Sequence, residues 1–295
     1  MSQRGNNLDW TVRRLLDWSL PYLTEKGIES PKVTAEWLLA DALGCTRMDL
    51  FFRYEQPLLP EELAGYKSRL KRRVQREPVQ YILGEWEFWS LPFYVDQRVL
   101  IPRPETEVLI EQVLKVVEEN EIPPTARILD LCTGSGAIAC TLAHEMKEAS
   151  VMATDVSRDA LMVAYQNVKR LELVDRVTLK HTDMFTDIPS EPPFNILVSN
   201  PPYVTQAEME DLEPEVRQYE PSMALVGGED GLDFVREILR NVPTYLAPGG
   251  LLAVEFGASQ GEAIRQLAEA TPELTSISIV QDYARRDRIL LATRV

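Results

Sequence analysis

The chain has 295 residues, 45% of them apolar and 26% charged, with a formal net charge of −15. That composition belongs to a globular protein with room for one large and one small domain, and it excludes disordered and collagen-like chains. No apolar run approaches the roughly 20 residues that span a bilayer, and the segment from Met1 to Asn7 lacks the apolar core of a signal peptide, so a cytoplasmic protein is expected.

Residues 8 to about 76 read as a small helical domain. Leu8, Val12, Leu15, Leu16 and Leu20 recur near helical spacing before Pro21; Val33, Trp37, Leu38 and Leu43 do so before Gly44; Leu63, Tyr66, Leu70 and Val74 do so before Pro78. The third helix starts acidic, at Glu61 and Glu62, and ends in a basic cluster of Lys67, Arg69, Lys71, Arg72, Arg73 and Arg76, the polarity that the helix dipole favours. The cluster reads either as a solvated helix end or as a docking patch for an acidic protein or RNA. Residues 1–85 hold 13 Lys/Arg and 12 Asp/Glu, a net +1, which leaves −16 for the remainder. An acidic catalytic part argues against a long nucleic-acid footprint, since phosphates need a positive surface.

Residues 86 to 102 switch to aromatic and β-branched types, as in Trp86-Glu87-Phe88-Trp89 and Phe93-Tyr94-Val95. This predicts a hairpin whose aromatic residues pack rather than bind ligand. Pro102 and Pro104 then hold Arg103 extended just before a helix that starts near Glu105. Arg103 is a candidate to pair with a cofactor carboxylate or position a substrate, with an interdomain salt bridge as the alternative.

From Arg127 onward, strand and helix patterns alternate, which implies a largely parallel sheet covered by helices on both faces. The first strand, Arg127 to Leu131, ends in the small-residue turn Cys132-Thr133-Gly134-Ser135-Gly136, which opens a helix. Such a turn lets a cofactor lie against backbone N–H groups. It is not the pyrophosphate fingerprint, because Cys132 stands at the first glycine position and no glycine occupies the third. The strand Ser150–Asp155 ends in a carboxylate about 20 positions beyond the turn, placed to accept both ribose hydroxyls of an adenosine cofactor. A third strand, Val177–Asp183, also ends in aspartate; Asp183 can accept from an adenine amino group, and Met184 can cover the purine face through its sulfur. Singly, each aspartate reads equally as a helix cap or turn residue.

A fourth strand, Phe194–Ser199, runs into Asn200-Pro201-Pro202-Tyr203. Two prolines end the ladder and hold Asn200 extended, producing a stiff corner with carbonyl acceptors, one amide side chain and an aromatic ring. Such a corner suits a planar NH2 group. Further strands are expected at residues 250–257, 276–281 and 288–293. Three cysteines and two distant histidines show no metal-type spacing, so neither a metal site nor a Ser/His/Asp triad is predicted.

With these motifs the chain resembles the class I methyltransferases that use S-adenosylmethionine, and more closely the PrmC/HemK family, the glutamine methyltransferases of peptide chain release factors. Its discriminating segments are Glu77-Pro78-Val79-Gln80-Tyr81-Ile82-Leu83-Gly84, Leu100-Ile101-Pro102-Arg103-Pro104-Glu105-Thr106-Glu107, and Asn200-Pro201-Pro202-Tyr203. The resemblance implies a Rossmann-like α/β sheet of seven strands, the last antiparallel, behind a small all-helical N-terminal domain. The boundaries expected are 1–85 for a helical substrate-recognition domain, 86–104 for a β-hairpin linker and 105–295 for the methyltransferase domain.

By the same resemblance, Cys132, Thr133, Gly134, Ser135 and Gly136 wrap the methionine part of the cofactor, with Cys132 acting through its backbone. Asp155 holds the ribose, Asp183 and Met184 flank the adenine, and Asn200 also touches the cofactor. Asn200, Pro201, Pro202 and Tyr203 hold the substrate glutamine; the Asn200 side-chain oxygen and the Pro201 carbonyl do the catalytic work by accepting from its two N–H groups. The expected partner is a release factor, with no stable DNA binding, no membrane, and a monomer as the working form. The corner would equally fit an exocyclic adenine amine or a ribosomal-protein glutamine. A non-catalytic nucleotide-binding adaptor would leave Asn200 and Tyr203 without a task.

Overall fold

The computed structural model describes residues 10–119 and 122–295, which divide into two compact units. The first comprises residues 10–84 together with Pro214–Tyr219; the second comprises residues 85–213 and 220–295.

The first unit is all helical: α1 (Val12–Glu25), α2 (Pro31–Ala42), α3 (Arg47–Phe52), α4 (Pro60–Val74) and α5 (Val79–Leu83), with α9 (Pro214–Tyr219), numbered by chain order. Val12, Leu15, Leu23, Leu38, Leu39 and Tyr66 form its core. The Tyr66 hydroxyl donates to Ser19 Oγ at 2.6 Å and Ser19 Oγ donates to the Leu15 carbonyl at 2.7 Å, so these two buried hydroxyls are paired.

Three sequence expectations are corrected in this unit, and a fourth lies outside the described residues, since that is where Leu8 falls. Pro21 does not stop α1, which continues to Glu25; Pro21 and Asp17 lie on the exposed side, where the carbonyl that loses its intrahelical bond can be hydrated. Val33 is 40% exposed, and α2 buries the face of Ala35, Leu38 and Leu39 instead. The arginines of the basic cluster are tied down by ion pairs: Arg69 pairs with Asp41, Arg72 with Glu77 at 2.6 Å, and Arg73 and Arg76 both with Glu215 at 2.8 and 3.3 Å. Lys67 and Lys71 remain exposed.

The second unit opens with the antiparallel hairpin β1 (Glu85–Phe88) and β2 (Leu91–Tyr94). Its two-residue turn, Trp89-Ser90, takes positive φ at both positions (53° and 57°), the backbone that matches strand twist. Neither residue is glycine, and Glu107 accepts from the Trp89 backbone N–H at 2.7 Å to hold the turn. Phe88 and Phe93 are buried edge to face, 6.0 Å apart, as packing residues.

After α6 (Pro104–Glu119) comes the main sheet: β3 (Arg127–Leu131), α7 (Ala137–Glu145), β4 (Ser150–Asp155), α8 (Arg158–Arg170), β5 (Val177–His181), β6 (Phe194–Ser199), α10 (Asp233–Tyr245), β7 (Leu246–Glu255), α11 (Gly261–Glu269), β8 (Leu274–Gln281) and β9 (Asp287–Arg294). The seven strands lie in the order β5-β4-β3-β6-β7-β9-β8, and β9 alone runs opposite to the other six. β5 ends at His181, two residues before the expected Asp183. β7 starts earlier than expected because the segment around Gly249, with φ 73°, is absorbed as a bulge.

Consecutive strands β3, β4 and β5 run to one edge, and β6 then returns to the other side of β3. The reversal opens a crevice at the carboxyl ends of β3 and β6, where sheets of this kind take ligands. The glycine turn and the Asn-Pro-Pro-Tyr corner emerge at those two ends.

Candidate active site

At this crevice lies a cleft lined by Cys132, Gly134, Asp155, Asp183, Met184, Asn200 and Pro202 among others. Seven sequence-selected residues therefore share one cavity. Thr133, Ser135, Gly136, Pro201 and Tyr203 are not among its lining residues. The Thr133 hydroxyl turns inward to donate to Asp130 Oδ2 at 2.6 Å, and the Ser135 carbonyl accepts from Asn167 at 2.9 Å. Asp130 is fully buried, which pushes its pKa up to about 7.

Two glycines of the turn have separate reasons. At Gly134 (φ 55°) a Cβ would meet nothing within 4 Å, so this position leaves backbone open to the cleft. At Gly136 (φ 81°) a Cβ would lie 3.2 Å from Ala164 Cβ, so this glycine lets α7 approach α8. Cys132 also takes positive φ, 58°, although it is not glycine; a left-handed non-glycine costs on the order of 1–3 kcal/mol. Its sulfur lies 3.8 Å from Met184 Sδ, and burial raises its thiol pKa. The two sulfurs together form a soft, apolar wall suited to a purine or thioether.

Asp155 ties the turn to β4. Its Oδ2 accepts from the Gly134 N–H at 2.9 Å and its Oδ1 from the Ser157 N–H at 2.8 Å. Each oxygen keeps a further lone pair, so the carboxylate can take two hydroxyls at once. Desolvation raises its pKa while these backbone bonds oppose the rise.

The Asn200 corner is fixed from outside. Asn200 Nδ2 donates to Thr106 Oγ1 at 3.1 Å, Gln260 donates to the Tyr203 carbonyl at 3.0 Å, and Val204 N–H donates to the Leu225 carbonyl at 2.8 Å. The Tyr203 phenol is pushed up by burial and by Glu255. A Cβ at Gly227 would sit 2.5 Å from the Pro202 carbonyl oxygen, and one at Gly231 only 2.2 Å from that of Tyr203. Replacing Gly231, whose φ is 75°, with alanine is expected to destabilise the protein by about 2 kcal/mol. Calorimetry checks this; an unchanged melting midpoint would show that the corner yields freely.

Arg103 is not in the cleft. It donates to Glu220 Oε1 at 2.6 Å, and both residues belong to the second unit, so the pair is not an interdomain bridge. Sequence reasoning passed over Arg98, Val99, Pro221, Met223 and Phe234, which also line the cleft. Val99 adjoins the Leu100 to Glu107 segment, which was a usable signal; Met223 and Phe234 carried none. Among the described residues no cluster of three metal-binding side chains occurs, and no helix is long and apolar enough to cross a membrane.

The chain matches two family models, the PrmC N-terminal domain over residues 14–84 and the Methyltransferase small domain over residues 105–215. It is 46% identical over 255 residues to a protein named release factor glutamine methyltransferase from Geobacter sulfurreducens, covering 86% of this chain and 87% of the relative. A protein of the same name from Moorella thermoacetica is 42% identical, with 96% of this chain and 99% of the relative covered. Among solved structures, the hMettl16 catalytic domain in complex with MAT2A 3'UTR hairpin 6 superposes with a TM-score of 0.57 at 14% identity, over 77% of this chain and 81% of the other. A methyltransferase from Pyrococcus furiosus gives 0.50 at 16% identity, over 77% and 98%. Both structural likenesses concern the fold.

Proposed function

We infer that this chain, which belongs to the release factor glutamine methyltransferase family, transfers a methyl group from S-adenosylmethionine to the side-chain amide nitrogen of the Gly-Gly-Gln glutamine of peptide chain release factors. The observation that carries the reading is that Asn200, an amide at a stiff corner, shares one cleft with Asp155 and Met184.

The residues present fit the cofactor. Asp155 has lone pairs for the two ribose hydroxyls, Asp183 lies beside the purine wall made by Met184 and Cys132, and Gly134 offers unobstructed backbone. S-adenosylmethionine, when bound, supplies an electrophilic sulfonium methyl. A glutamine nitrogen is a poor nucleophile because its lone pair is delocalised into the carbonyl. The Asn200 side-chain oxygen and the Pro201 carbonyl accept from its two N–H groups, which orients the nitrogen and stabilises the positive charge it gains. Methylation would make the substrate nitrogen acidic, and its proton would pass to solvent. No general base is required.

Residues 1–85 serve as the substrate-recognition domain, 86–104 as a hairpin linker and 105–295 as the methyltransferase domain. The enzyme works as a cytoplasmic monomer without stable DNA contact, and the −15 charge of the chain supports the last of these. The test supplies labelled S-adenosylmethionine with, separately, a release factor, its Gly-Gly-Ala variant, a ribosomal protein and DNA. Label is expected in the Gly-Gly-Gln form alone. Equal labelling of the two release-factor forms, or label in DNA, would overturn the reading.

A further inference from the structure

A side-chain amide is two-faced, since half a turn about its last bond exchanges an acceptor for a pair of donors. Asn200 can receive the N–H groups of a substrate amide only with Oδ1 turned toward them. Three separate segments decide which way it turns. Asn200 follows β6, Thr106 lies in the first turn of α6, and Glu255 closes β7. Asn200 Nδ2 donates to Thr106 Oγ1 at 3.1 Å, and Thr106 Oγ1 donates to Glu255 Oε2 at 2.7 Å. Thr106 is 4% exposed and Glu255 1%, so water does not compete for these bonds.

The polarity of this chain follows from the inventory of protons. An ionised carboxylate only accepts, so it claims the single hydroxyl proton of Thr106. Thr106 Oγ1 can then only accept from Asn200. Asn200 is thereby obliged to give Nδ2 to Thr106 and to leave Oδ1 for the substrate.

We propose that Thr106 and Glu255 are positioning residues that lock the Asn200 amide with its oxygen toward the substrate, a proposal that rests on the reading of Asn200 as the substrate's acceptor. Neither is a catalytic residue, because each acts through Asn200. The lock holds while Glu255 is ionised. The groups that face it are Arg288 of β9, Glu105 in the first turn of α6, Arg103 just before that helix, and Tyr203 beyond β6. Burial raises the Glu255 pKa to about 7; the Thr106 bond and the two arginines oppose the rise, and Glu105 adds to it. Once protonated, Glu255 becomes a donor to Thr106, whose hydroxyl proton is released to bond Asn200 Oδ1. The amide can then turn Nδ2 outward, where donor meets donor. The lock is therefore present above the Glu255 pKa and lost as pH falls through it.

Two measurements test this, and they separate the lock from the choice of substrate. In the first, selective ¹⁵N-asparagine labelling follows the Asn200 side-chain NH2 resonance, assigned by its loss in Asn200→Asp. It is expected to shift with a midpoint near pH 7 in the wild type and to be flat in Glu255→Gln. A wild-type resonance that does not titrate, or one that titrates equally in the variant, sinks the proposal whatever the enzyme methylates.

In the second, kcat and KM for release factor are compared in Thr106→Ser, which keeps the hydroxyl, and Thr106→Val, which keeps the shape. Serine is expected within about threefold of wild type, and valine to lose about 10–100-fold in kcat/KM. The acid limb of the wild-type profile is expected to flatten in Glu255→Gln. Equal activity in serine and valine variants would assign Thr106 a packing role and defeat the proposal. Should the resonance behave as expected while wild-type enzyme leaves release factor unlabelled, the lock stands and the substrate assignment fails.

Discussion

Asn200→Ala is expected to reduce methyl transfer to release factor by about 10²–10³-fold while S-adenosylmethionine binding survives nearly unchanged. The magnitude is that of removing one preorganised hydrogen-bonding group aimed at a developing charge in a closed site. Truncation deletes the oxygen that receives the substrate amide and also strands the Thr106 hydroxyl, which loses the donor 3.1 Å away. The glutamine then enters with one fixed N–H instead of two, and its lone pair is no longer held on the line to the methyl group. The proposed cofactor residues Asp155, Met184 and Gly134 lie at or just after the ends of other strands and are left intact. Single-turnover rates with labelled cofactor, set beside calorimetric cofactor titration, distinguish the two effects. Loss of cofactor binding with normal turnover at saturation would reverse the roles given to Asn200 and Asp155.

The parts of this site that could be read from sequence are those in which local chemistry and strand pattern coincide. β3, β4 and β6 are short apolar runs that end in a glycine turn, an aspartate and a proline corner, and each ends where the pattern breaks. Their convergence follows from the order reversal between β3 and β6, which the folded sheet reveals and which alternation of strands and helices alone does not locate. What stayed hidden depends on contacts between distant positions. Thr106 and Glu255 are 149 residues apart, and although Thr106 lies in the Leu100 to Glu107 segment, no sequence pattern pairs either residue with Asn200. Gly227 and Gly231 are needed because the Pro202 and Tyr203 carbonyls pass within a Cβ's reach, which only the folded backbone reveals. Pro21 misled for the opposite reason, since a local rule about helix interiors yields where the orphaned carbonyl faces solvent. The arginines from 69 to 76 looked like a surface because their partners, Asp41 and Glu215 among them, lie far along the chain.

Asp155→Ala is expected to weaken S-adenosylmethionine binding by about 100-fold, through two losses that a second variant separates. Each hydrogen bond to a charged group is worth about 1.5–3 kcal/mol, and in the proposed binding mode the ribose presents two hydroxyls to this carboxylate. The alanine also frees the Gly134 and Ser157 N–H groups, which Asp155 now holds at 2.9 and 2.8 Å, so the turn loses its tie to β4. Asp155→Asn keeps one oxygen and replaces the other with an NH2 group, which cannot accept. Whichever backbone N–H faces that NH2 loses its bond, and one ribose hydroxyl loses its acceptor. If ribose contact dominates, asparagine is expected to recover less than half of the lost binding free energy. If the turn dominates, it recovers most of it, because one oxygen suffices to hold the Gly134 N–H. Calorimetric titration of S-adenosylmethionine and of its demethylated product into both variants reads the split, and equal affinity in wild type and alanine variant would remove Asp155 from the cofactor site. Because the carboxylate pKa is raised by desolvation, wild-type affinity is expected to hold at neutral pH and to fall on acidification from a higher pH than an ordinary aspartate would give. The alanine variant, lacking the group that titrates, is expected to show no such fall over the same range.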